Sequence, residues 1–152
     1  MKQKRISKDQ YYLGIAEEVS RRSTCFRRSI GAIIIRDDQI ISAGYVGAPR
    51  KTKDSLEHGF CLRDKLNIPH GQRYELCRSI HAEQNAIIQA AYHGIRIQGA
   101  TLYCTNLHCV ICTKMLINAG IKEIIYESGY ADDLSREMLL EARIPVRQFA
   151  QK

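Results

Sequence analysis

Apolar positions along the chain recur with two periods, and the switches between them mark the elements. In DQYYLGIAEEVSRRS, Tyr12, Ile15, Ala16 and Val19 fall at helical spacing, which predicts a helix over roughly 8–23. Ser7, with Gln10 three residues on, has the form of a capping box at its start. SIGAIIIR (29–36) is short, β-branched and apolar, the pattern of a buried strand; QIISA (39–43) returns after Asp37-Asp38 as its hairpin partner. IHAEQNAIIQAAYH reads as a second helix, with Ser79 as cap and Gly94 as stop. ATLYCT (100–105) is a strand, CVICTKMLINA (109–119) a helix stopped by Gly120, and EIIY (123–126) a strand. DDLSREMLLEAR (132–143) is a last helix and VRQF (146–149) a last strand. This order feeds an antiparallel hairpin into β-α-β units. It predicts an α/β fold: one five-stranded mixed sheet with helices on both faces, a three-layer α-β-α domain.

One stretch follows neither period. Residues 44–78 are punctuated by Gly44, Gly47, Pro49, Gly59, Pro69 and Gly71 and read as loop. A structureless segment of that length is uncommon inside a compact domain unless it is functional or held by something else. The whole chain, 152 residues, is the length of a single domain (1–152) with this segment as an insertion.

Composition changes the picture in two places. Apolar content of 45% and charged content of 26% are ordinary for a globular protein. No apolar run approaches the roughly 20 residues of a membrane span, and no apolar stretch follows the basic start MKQKRISKDQ, so a cytoplasmic location and no membrane partner are expected. Net charge is +7, and residues 1–28 carry eight Lys or Arg against three acidic residues. A basic end suits phosphate-bearing ligands, and equally a solvated helix face. The six cysteines, Cys25, Cys61, Cys77, Cys104, Cys109 and Cys112, point toward metal or reactive thiols rather than disulfides.

Two ligand-rich spots each open a helix: His81-Ala82-Glu83, and Cys109-Val110-Ile111-Cys112. A CxxC at a helix start sets both sulfurs near free backbone N–H groups, where the dipole favours thiolate. Two thiolates and one imidazole leave the fourth position of a tetrahedral zinc open, the form of a catalytic rather than a structural site. An open zinc lowers the pKa of water from about 16 toward 7. The reaction then needs a proton shuttle, and Glu83 stands two residues past His81. H-x-E followed by CxxC is the pattern of zinc nucleobase deaminases. A redox CxxC is the competing reading, but thioredoxin-like flanks are missing. Cys104 reads as a small apolar filler on its strand, and His108 as a neighbour of the metal rather than a ligand.

These residues resemble the deoxycytidylate (dCMP) deaminase family of the zinc-dependent cytidine/deoxycytidylate deaminase superfamily. The resemblance runs through CFRRSIGAIIIRDDQIISAGYVGAPR, ELCRSIHAEQNAI, LYCTNLHCVICTKMLINAGIKEIIY and the late Tyr130. It implies a cytidine-deaminase-like fold and hydrolysis of dCMP to dUMP and ammonia. His81, Cys109 and Cys112 would hold the catalytic zinc, and Glu83 would move protons at ring nitrogen 3 and the leaving amine. It further implies a structural zinc clipping the 44–78 insertion through Cys25, Cys61 and Cys77, with His58 as fourth ligand and His70 as runner-up. Ala82 would offer backbone contacts to the base, Tyr130 would lie near the nucleotide, and the Gly44–Arg50 loop would touch sugar and phosphate. Arg50, Arg27 and Arg28 are the candidate phosphate partners.

Two positions depart from the family pattern. Val46 stands where the family carries an asparagine that bonds the sugar hydroxyl, and His108 stands where it carries proline. The substrate is therefore open between dCMP and another cytosine nucleotide, nucleoside or single-stranded nucleic acid, with a non-catalytic nucleotide binder as the remaining alternative. No aromatic-rich basic stripe of the kind that stacks on bases is present, so nucleic acid is not the expected partner. The resemblance also implies a homo-oligomer, dimer or hexamer, and control by dCTP and dTTP.

Overall fold

The computed structural model describes residues 4–107, 109–129 and 131–149. Helix α1 (Lys8–Ser20) begins at the expected capping box: Ser7 Oγ accepts the Gln10 N–H, and Gln10 Oε1 accepts the Ser7 N–H, both at 3.1 Å. Strands β1 (Gly31–Arg36) and β2 (Gln39–Tyr45) form the expected hairpin. Asp37 and Asp38 turn it with φ of 50° and 57°, the left-handed pair that a two-residue turn requires. Three short pieces follow: α2 (Ser55–His58), α3 (Leu62–Lys65) and a 3-10 turn over Tyr74–Leu76. The remaining order is α4 (Ala82–Tyr92), β3 (Thr101–Leu107), α5 (Val110–Asn118), β4 (Glu123–Gly129), α6 (Asp133–Glu141) and β5 (Val146–Gln148).

The strands lie in the order β2-β1-β3-β4-β5. β1 is antiparallel to both neighbours, while β3, β4 and β5 run parallel. Side chains alternate across the sheet, as strand geometry demands. Ile33, Ile35, Tyr103 and Ile125 face α1 and pack on its Tyr12, Leu13 and Ala16. Ala32, Ile34, Leu102 and Ile124 face the other way, onto Ala82, Ala86 and Ala90 of α4, Leu116 of α5 and Leu139 of α6. The three-layer α-β-α architecture expected from the pattern is the one observed. Among the described residues no helix is long and apolar enough to cross a membrane.

One contact sets the position of α4. A Cβ on Gly44 would lie 2.3 Å from the Ala86 nitrogen and 2.4 Å from the Ala82 carbonyl oxygen. Only glycine lets β2 lie this close to the helix. Ser42 Oγ adds a 2.6 Å bond to the Ala86 carbonyl, and Asn85 Nδ2 donates to the Tyr45 carbonyl at 2.8 Å.

The 44–78 segment is more ordered than its sequence pattern predicts. Asp54 and Glu57 close a capping box on α2, with both bonds at 2.9 Å. Arg27 fastens the far end: its Nε donates to Asp64 at 2.7 Å and its Nη2 to the Ile68 carbonyl at 2.6 Å. Gly47 and Ile80 exchange backbone bonds of 3.2 and 2.8 Å, which ties the loop after β2 to the residue before His81.

Candidate metal centre

The helix carrying His81 starts later than expected. Ser79 is buried with its Oγ unpartnered, and His81 itself is the N-cap of α4. Gln84 Oε1 takes the His81 N–H at 3.1 Å, so the backbone is capped from within the helix. Cys109 holds the equivalent N-cap position on α5, with Cys112 in the first turn.

The two helix starts meet. One ligand atom each from His81, Cys109 and Cys112 lies within 4.8 Å of the others. His81 Nδ1 stands 3.3 Å from Cys112 Sγ, near the roughly 3.5 Å that donors around one tetrahedral zinc require. Cys109 and Cys112 are buried. One imidazole and two thiols are a zinc donor set. The electrostatics give Cys109 thiolate character and leave Cys112 its proton. The hydrogen bond from Cys112, with help from His81, holds Cys109 down to about 4, and the same bond pushes Cys112 up. Burial is the largest single influence on His81 and works against its charge, but the hydrogen bond to Cys109 together with the charges of Cys109, Glu83 and Cys77 outweighs it and raises the pKa.

Glu83 sits in the first turn of α4 and is 1% exposed. Burial raises its pKa, so the carboxyl favours its protonated form. It contacts the Cys112 thiol, while its buried Oε1 has no hydrogen-bond partner. An orphaned carboxyl oxygen beside three zinc donors is what a proton-transferring residue at a metal site needs.

A small cavity of about 40 Å³ opens onto His81 and Glu83 and is walled by Cys25, Arg28, Val46 and Tyr74, among others. A second, of about 510 Å³, opens onto Cys109 and shares Arg28, His70, Gly71 and Tyr74 with the first. Val46 is buried; its N–H bonds the Ile30 carbonyl at 3.1 Å and its carbonyl accepts from Thr24 at 3.0 Å. It therefore presents an apolar wall to the metal cavity. Ala82 is fully buried in the first turn of α4.

The candidate phosphate partners separate. Arg50 lines a different cavity of about 670 Å³, which includes none of the metal-centre residues, and stacks on Tyr92 at 4.5 Å. Arg27 lines the metal cavity but is spent on Asp64 and the Ile68 carbonyl. Arg28, exposed and in no ion pair among the described residues, borders both metal-centre cavities. Tyr130 and His108 lie outside the described residues.

The proposed clip residues are not brought together in the same way. Cys25 and Cys77 share a hydrogen bond that holds Cys77 down to about 5 and pushes Cys25 up. Cys61 lies beside Asp64, and His58 Nε2 is buried without a partner. Among the described residues no second group of three such donors is as tight as the first. His70 lines the metal cavity instead. Cys104 is buried on β3, as expected of a filler. Tyr74 and Arg63, which sequence reasoning passed over, also wall the metal cavity; they sit in the stretch with no periodicity, so no pattern marked them.

Residues 6–128 match the family described as the cytidine and deoxycytidylate deaminase zinc-binding region. The chain is 35% identical over 147 residues to a deoxycytidylate deaminase of Saccharomyces cerevisiae, covering 96% of this chain and 46% of that protein. It is 34% identical to ComE operon protein 2 of Bacillus subtilis, covering 95% of this chain and 72% of that one. The dCMP deaminase of cyanophage S-TIM5, solved in complex with dCMP and dUMP, superposes with a TM-score of 0.75 at 26% identity, over 95% of this chain and all of that one. The chain spans about half the length of the yeast relative.

Proposed function

The chain belongs to the cytidine and deoxycytidylate deaminase family, and from that premise we propose that it hydrolyses dCMP to dUMP and ammonia with one zinc held by His81, Cys109 and Cys112. The observation that carries this reading is the meeting of those three donors beside the buried carboxyl of Glu83. When bound, zinc supplies a water acidic enough to act as nucleophile near neutrality. The chain's own residues do the rest. Glu83 would accept a proton from the attacking water as its oxygen bonds ring carbon 4 and hand it to ring nitrogen 3. It would then carry the remaining hydroxyl proton to the 4-amino group, which leaves as ammonia as the carbon–nitrogen bond breaks and the 4-carbonyl forms. Burial raises its pKa, the direction required of a carboxyl that must both take up and give back a proton. The Ala82 backbone at the start of α4 would contact the base, and the apolar wall that Val46 gives the metal cavity would keep water from the reacting ring. Arg28 is our choice for the phosphate, since Arg27 and Arg50 are committed elsewhere.

Ammonia release from dCMP, dCTP, cytidine and a cytosine-containing oligonucleotide tests this. The expected order places dCMP first; turnover of cytidine without dCMP turnover overturns it. Val46 favours one second reading, a related cytosine nucleotide, because valine cannot bond a sugar hydroxyl.

A second, structural zinc on the 44–78 segment is a separate proposal, with Cys25, His58, Cys61 and Cys77 as ligands. Its support is the Cys25–Cys77 contact and the buried, unpartnered His58 Nε2. Metal analysis should then find two zinc ions per chain; a content of one removes it. The thiol-rich donor sets suit a reducing compartment, which is why we place the protein in the cytoplasm. Assembly as a homo-oligomer and control by dCTP or dTTP belong to this same proposal and rest on family membership.

A further inference from the structure

Tyr74 stands on the 3-10 turn of the 44–78 segment, and its ring meets the His81 imidazole edge-on, with centroids 5.0 Å apart and planes at 87°. Arg63 lies over the Tyr74 ring, its guanidinium carbon 4.9 Å from the centroid. Arg63 is 5% exposed and forms no ion pair with a carboxylate among the described residues. Its Nη2 donates to the Pro69 carbonyl at 3.3 Å, and its Nε has no partner. The guanidinium also hydrogen-bonds the Cys77 thiol, whose lowered pKa makes it an anionic neighbour, and it lies over the Tyr74 ring; both favour its buried charge. The stack Arg63–Tyr74–His81 thus runs from the insertion to a zinc donor. Tyr74 also borders both cavities beside the metal centre.

We propose that Tyr74 is a positioning residue for the metal donor His81, held against the imidazole by the buried Arg63, so that the 44–78 insertion sets the affinity and geometry of the zinc site. This rests on His81 being a zinc ligand. Groups behind a metal-bound histidine fix its ring orientation, and losing one typically costs about 10- to 100-fold in metal affinity. Edge-to-face packing on Tyr74 restrains the imidazole ring in the same way.

The test is zinc affinity by chelator competition, together with the visible absorption of the cobalt-substituted full-length protein; neither readout needs a substrate. Tyr74→Leu should bind zinc about tenfold or more weakly and shift the cobalt bands at saturation. Tyr74→Phe, which keeps the ring, should stay within about twofold of the parent in affinity and keep its spectrum. Arg63→Met should weaken zinc in the same direction by less. A purely structural role for Tyr74 lowers the unfolding temperature but leaves the saturated cobalt spectrum alone. Unchanged affinity and spectrum in Tyr74→Leu overturn the proposal. Should that variant fail to fold, a Phe variant as impaired as Arg63→Met or worse overturns it, because the ring would then not be the acting group. Loss of zinc from the parent protein itself would instead strike at His81 as a ligand, which separates the two failures.

Discussion

Two regions of this chain are rich in metal-binding side chains, and the fold treats them differently. His81, Cys109 and Cys112 come from two helix starts and meet within 4.8 Å. Cys25, His58, Cys61 and Cys77 come from loop and single-turn elements, and only Cys25 and Cys77 share a hydrogen bond. The first set is carried by helices that pack on neighbouring strands, so their N-termini are placed by the core. In the second, all but Cys25 hang on a segment tied to the rest of the chain by Arg27 and a backbone bridge at Gly47. Ligand residue types propose a site; rigid elements with the right register bring it together.

That contrast can be broken at its chemical end first. Glu83→Gln should retain zinc yet lose about 10²- to 10⁴-fold in kcat, measured as ammonia release at saturating dCMP. Full activity would remove the proton-transfer role. Next comes the scaffold. Gly44→Ala forces a Cβ into the α4 backbone, and we expect a loss of about 1–3 kcal/mol in urea unfolding. Zinc affinity should fall with it, since His81 and Glu83 move with α4 while Cys109 does not. Unaltered stability would show that β2 and α4 can part freely. The smallest effect is expected in the insertion. Arg27→Met removes bonds to Asp64 and the Ile68 carbonyl. Because Asp64 is exposed and can turn to water, the loss of stability should be small. Hydrogen exchange should quicken across residues 55–77 while the core strands stay protected; uniform quickening would mean that the insertion is part of the core.

Much of the architecture was legible because its signals are local. The Ser7 capping box, the Asp37-Asp38 turn and the stops at Gly94 and Gly120 all lie within a few residues of what they control. The late start of α4 was not legible. Ser79 is a good cap by type, but burial took it and His81 became the N-cap. Strands β3 and β4 also run further than their apolar runs, to Leu107 and Gly129, because each supports the other in parallel register. The turns inside 44–78 were missed for a similar reason. Asp54 with Glu57 is a readable capping box, yet a single helical turn has no period to accompany it.

The sequence by itself determined the donor chemistry: which residues could be thiolate, imidazole or carboxyl, and that two such groups begin helices. Helix and strand periods carry that information because each is written over a few consecutive residues. Tertiary structure decided the rest. The order β2-β1-β3 brings the helices after β2 and β3 to one edge of the same core, so that their starts meet. It left Arg28, rather than Arg27 or Arg50, free beside the metal, and set Tyr74 against His81. These are contacts between residues far apart in the chain, selected by how whole elements pack, and no local pattern records them.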